Sequence, residues 1–113
     1  MSLVKSKKEV VKIELTDKDV IESCGVTHFY MTKYPSLALY TQFLDAGMKN
    51  DPEKIDGIAR ELLRDENGEK LLKEEDDVID HEIYEHILVL VTQYLLKLKT
   101  KKLTQTSQAG TSN

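Results

Sequence analysis

Glu74-Glu75-Asp76-Asp77 opens the stretch that decides the fold. It continues through Ile83-Tyr84 and Ile87-Leu88-Val89-Leu90-Val91 to Tyr94-Leu95-Leu96, and closes on Lys97, Lys99, Lys101 and Lys102. Acids gather at one end and lysines at the other, the polarity that a helix dipole favours. Ile79, Ile83, Ile87, Leu90, Tyr94 and Leu98 mark one helical face, and Tyr84, Leu88, Val91 and Leu95 mark an adjoining one. Together they exceed the apolar stripe of an ordinary surface helix. The pattern predicts a long helix starting near Asp76 or Asp77 and running to about Lys99. Either that helix is wrapped by the elements before it, or one of its faces meets a partner.

The rest of the chain is short. At 113 residues one domain is expected, large enough for a core without disulfides or metals. Charged residues make up 32%, apolar residues 40%, and mean hydropathy is −0.42, a soluble globular balance. The net charge of −4 gives no basic field to draw in nucleic acid, although Lys5, Lys7, Lys8 and Lys12 cluster near the start. The single cysteine, Cys24, excludes an intrachain disulfide and suits a small buried apolar role. No apolar run is long enough for a membrane span, and the first residues lack a signal-peptide core.

Residues 1–8 read as a flexible basic arm, 9–102 as a single helical domain and 103–113, polar apart from Leu103 and Ala109, as a disordered tail. Val11, Ile13 and Leu15 alternate with Lys12 and Glu14, the period of a half-buried strand. Thr16 with Asp19 resembles a capping box opening a short helix through Val20, Ile21 and Cys24, and Gly25 is placed to end it. Val26 to Tyr34 fits either a strand or an irregular apolar loop. Pro35 favours a helix from about Ser36, with Leu37, Tyr40, Phe43, Leu44 and Met48 at helical spacing and Gly47 and Asn50 at its end. Asp51-Pro52-Glu53 starts another helix that carries Ile55, Ile58, Leu62 and Leu63. Asp65-Glu66-Asn67-Gly68 is a turn, and Glu69 to Leu72 a short extended piece. The fold class expected is mostly α: a small helical domain with a short N-terminal β element and a long C-terminal helix.

Catalytic and metal motifs find no support. His81 and His86 are five residues apart, about 140° around a helix, so they do not reproduce the paired histidines of a zinc protease. Asp77, His81 and Glu85 would share a face at four-residue spacing, which reads as a solvated face. His28 stands alone. There is no glycine-rich phosphate loop, and no serine sits in a nucleophile elbow. No enzyme activity, cofactor or metal is expected.

Asp45 to Leu98 resembles the C-terminal part of tail assembly chaperones from long-tailed bacteriophages. The resemblance rests on Asp51-Pro52-Glu53, on Arg64-Asp65-Glu66-Asn67-Gly68-Glu69-Lys70-Leu71-Leu72, and on the acidic Lys73-Glu74-Glu75-Asp76-Asp77-Val78 before a closing apolar helix. Glu14-Leu15-Thr16 preserves part of a further phrase of that family, without its arginine. The resemblance implies a mostly helical, non-enzymatic late protein in the cytoplasm of the infected bacterial host. It also implies two partners, the tape measure protein and the tail tube protein, the latter recruited through a frameshifted extension. A homo-oligomer is a further possibility. The partner-binding residues expected are Ile83, Ile87, Leu90, Val91, Tyr94 and Leu95, which would cover apolar helix of the client. The rival reading is a small acidic regulator or inhibitor whose acids at 74–85 imitate nucleic-acid phosphates on a basic protein surface.

Overall fold

The computed structural model describes residues 3–6 and 8–111, with side chains as far as Leu98. Its elements run β1 (Val10–Glu14), α1 (Lys18–Cys24), β2 (His28–Thr32), α2 (Leu37–Met48), α3 (Pro52–Leu62), β3 (Leu63–Arg64) and α4 (His81–Thr111). About half of the chain is helical, and the strands form one antiparallel sheet in the order β1-β2-β3. The fold is therefore mixed α/β rather than mostly α. The difference comes from β2, one of the two readings open for Val26 to Tyr34, and from β3, a two-residue strand too short to show a period.

Register explains how the sheet joins the core. Val11 pairs with Met31, Ile13 with Phe29, and Met31 also with Leu63. Because side chains alternate between faces, these five share the inner face. They meet Val20 of α1, Phe43 and Ala46 of α2, Ile58, Ala59 and Leu62 of α3, and the α4 stripe in one continuous cluster.

Local chemistry sets the helix ends. Asp17, rather than Thr16, caps α1, accepting from the Asp19 and Val20 N–H groups, and Gly25 closes it in the left-handed conformation. The Thr16 N–H is committed elsewhere, to His86. Ser36 and Asp51 cap α2 and α3, the latter with Pro52 in the first turn, as their sequences predict.

The long helix starts later than the acids suggest. Asp80 accepts from the Glu82 N–H at 3.1 Å, and its carbonyl takes the Tyr84 N–H at 2.9 Å. Glu74 to Asp77 form a turn instead. The Asp77 carboxylate accepts from the Lys73 and Glu74 N–H groups, and the Asp77 N–H returns to the Glu74 carbonyl. An aspartate that caps its own preceding turn cannot also extend α4 backwards, so the acids lie outside the helix whose dipole they were expected to offset. The α4 backbone runs on to Thr111. The side chains of Lys99, Lys101 and Lys102 lie outside the described residues, as do Met1, Ser2 and Lys7 of the basic arm. So do the side chains of the tail expected at 103–113.

The Asp65–Gly68 turn is held by the Asp65 side chain, which accepts from the Asn67 and Glu69 N–H groups. Gly68 has φ +86°, and a Cβ built there would sit 2.3 Å from the Lys8 carbonyl oxygen. Conformation and space both require glycine. Gly68→Ala should therefore lower stability by about 2 kcal/mol or more, seen as a lower urea midpoint at unchanged slope.

Candidate functional site

Ile83, Ile87, Leu90, Val91 and Leu95, expected to meet a partner, are all buried in the chain's own core, Val91 and Leu95 completely. Tyr94 is half-buried, and its hydroxyl donates to the Lys33 carbonyl at 3.0 Å. Burial, and after it the neighbouring Tyr34, push the Tyr94 phenol above its ordinary value. The structure thus spends these six residues on folding. As far as Leu98, the outward side of α4 is mostly polar: Glu82, Glu85, Gln93 and Lys97 are exposed, as are the apolar Val89 and Leu96.

Polar side chains lock α4 in place. His86 Nε2 accepts from the Thr16 and Asp17 N–H groups at 3.1 and 3.2 Å, which requires the tautomer protonated at Nδ1. The Tyr84 hydroxyl donates to Asp56 at 2.6 Å. Arg60 donates through Nε to the other Asp56 oxygen at 3.0 Å, and through its remaining nitrogens to the Glu74 and Asp77 carbonyls at 3.4 and 2.7 Å. This network joins α3, the acidic turn and α4.

Burial alone would raise the Asp56 carboxyl. The hydrogen bonds from Tyr84 and Arg60 and the Arg60 charge together outweigh it, so the group sits below its ordinary value. Burial first, then the Asp56 hydrogen bond and charge, push the Tyr84 phenol far up. His81 Nε2 lies 2.6 Å from a Glu85 carboxylate oxygen, while Asp77 lies off the helix, so the three do not form a shared face. Among the described residues no group of three or more His, Cys, Asp or Glu is placed to hold a metal. Cys24 is half-buried against the core, and His28 bonds Thr27 and packs edge-on to Tyr30.

Besides Val89 and Leu96 on α4 and Val78 before it, α2 carries two strongly exposed apolar residues, Leu37 and Met48. At 100° per residue, Leu37, Thr41, Leu44 and Met48 fall on one side of this helix. Leu39, Phe43 and Ala46 fall on the opposite side and enter the core. Leu37 is 72% and Met48 87% exposed, while Leu44 is half-buried. A groove of about 490 Å³ runs between α2 and α3, lined by Gln42, Asp45, Lys54, Gly57 and Ile58. A Cβ at Gly57 would meet nothing within 4 Å.

The sequence shows Leu37, Tyr40, Phe43, Leu44 and Met48 at helical spacing without dividing them between faces. A helical wheel separates the two sets. The 4-3-4 spacing of residues 37, 41, 44 and 48 was the available signal. No protein-family model, no curated protein and no solved structure matches the chain. Among the described residues no helix is long and apolar enough to cross a membrane.

Two measurements test this geometry. Asp56 carries a lowered pKa in the folded state, so its contribution to stability is present above about pH 4 and lost as pH falls through the folded-state value. Asp56→Asn should flatten the acid limb of the urea midpoint against pH relative to the parent chain. Gly57→Ala, with room for its methyl in a helix interior, should stabilise by about 0.5–1 kcal/mol in thermal melts.

Proposed function

We propose that the chain is a non-enzymatic tail assembly chaperone of a long-tailed bacteriophage. In this reading it works in the cytoplasm of the infected bacterial host, keeps the tape measure protein soluble and assists tail tube assembly. The resemblance over Asp45 to Leu98 supports the family. The observation that carries the mechanism is the exposed apolar pair on one side of α2, Leu37 and Met48, together with the groove between α2 and α3.

Apolar residues spaced along one helix side, together with an open groove, suit capture of an amphipathic helix by its own apolar stripe. A tape measure protein offers such stripes before the tube encloses it. Burial of Leu37 and Met48 against a client would contribute a few kcal/mol, enough for reversible holding. The acidic turn offers a different mode. Glu74, Glu75 and Asp76 are exposed, and Arg60 engages backbone carbonyls rather than their carboxylates, so a basic surface would find them available.

Co-expression with the tape measure protein encoded beside this gene tests the reading. The parent chain should keep the client in the soluble fraction. Leu37→Glu with Met48→Glu, and separately Gly57→Phe, should each lose that rescue while thermal stability stays within about 0.5 kcal/mol, as expected of surface substitutions. Charge reversal at Glu74, Glu75 and Asp76 should leave rescue intact. Rescue that survives the α2 and groove changes but fails on charge reversal would replace the chaperone reading with the acidic regulator. A gene position away from tail tube and tape measure genes would also defeat the proposal.

A further inference from the structure

β1 stands at one end of the sheet, and among the described residues its outer side has no neighbouring strand. The ladder on its inner side fixes which backbone groups face outward. The Leu15 N–H donates to the Thr27 carbonyl, and the Lys33 N–H to the Glu9 carbonyl, each at 2.9 Å. In an antiparallel pair the bonded residues alternate, so positions 9, 11, 13 and 15 of the strand bond β2. Val10, Lys12 and Glu14 therefore direct their N–H and C=O groups away from the sheet. The segment before β1 leads off toward the β3 side, where Lys8 lies against Gly68 and pairs with Glu69. Among the described residues no strand pairs with that edge.

A free edge is a template for another strand, and its charges decide which. Lys12 and Glu14 are adjacent on the outer face, 3.7 Å apart and both exposed. A second β1 running antiparallel offers the same pair reversed. One register sets Lys12 against Lys12 of the copy and is disfavoured, because like charges directly opposite repel. The neighbouring register, centred on Ile13, sets Lys12 against Glu14 twice across a two-fold axis. It also lets residues 12 and 14 of both chains exchange their outward backbone hydrogen bonds.

We propose that β1 pairs edge to edge with β1 of a second copy, with Lys12 opposite Glu14, joining two sheets of three strands into one of six. The proposal stands apart from the chaperone reading. With so short a strand, the association is a weak, reversible dimer.

Sedimentation equilibrium of the full chain from about 10 μM to 0.5 mM tests it, a range that captures weak dimers. The mass should rise from 12.9 kDa toward twice that value. Lys12→Glu and Glu14→Lys should each weaken association about tenfold, since two attractive pairs become repulsive. Mixing these two variants, or combining both changes in one chain, should restore it. Lys12→Pro should abolish it, because it removes an outward N–H and none from the β1–β2 ladder. Circular dichroism melts show that each variant folds, and if the proline variant does not, the charge set decides. A monomer at every concentration, a dimer indifferent to the single changes, or no restoration in the mixture would each overturn the proposal.

Discussion

Burial of the α4 stripe is the constraint to which the rest of the fold answers. A helix apolar around most of its girth needs cover on more than one side. The inner face of a three-stranded sheet and parts of α1, α2 and α3 supply it. The apolar contact itself is non-directional and would tolerate a rotated or shifted helix. Polar tips remove that freedom. Tyr84 reaches Asp56 on α3, His86 takes two N–H groups at the β1–α1 junction, and Tyr94 reaches the carbonyl of Lys33 just past β2. Each pins α4 to a different part of the chain, so burial sets the energy and these bonds set the register.

Much of this was legible in sequence where local rules act alone. Gly25, Ser36 and Asp51-Pro52 end or begin helices by chemistry that needs no tertiary context, and Val11-Ile13-Leu15 alternates cleanly. What was hidden depends on distant partners. Residues 28–32 become a strand because β1 pairs with them, and Leu63-Arg64 because β2 does. The acids at 74–77 look like a helix start until Asp77 is seen to satisfy the N–H groups of Lys73 and Glu74. Their role changes again once Arg60 is found seventeen residues away from Asp77.

The candidate site illustrates a different blindness. The breadth of the α4 stripe is evident in sequence, but sequence cannot say how much cover the other elements provide. In the folded chain the stripe of Ile83, Ile87, Leu90, Val91 and Leu95 is covered, while Val89 and Leu96 on α4 and Leu37 and Met48 on α2 stay exposed. Helix α2 looked ordinary because its two apolar faces, Leu39-Phe43-Ala46 and Leu37-Leu44-Met48, overlap in a linear reading. Turned through the helical wheel they separate almost completely. A helix that is apolar on opposite sides has more apolar surface than its own fold uses.

Arg60 holds the acidic turn entirely by carbonyl oxygens, which every amino acid carries. Path and composition of that segment are therefore separable. Glu74, Glu75 and Asp76 can drift toward other polar residues without losing the contact that docks the turn, whereas Arg60, Asp56 and the capping carboxylate of Asp77 cannot. Among related chains, the arginine on α3 should outlast the acids it anchors, and a search keyed to that arginine and its aspartate one helical turn earlier would reach further than one keyed to the acidic run.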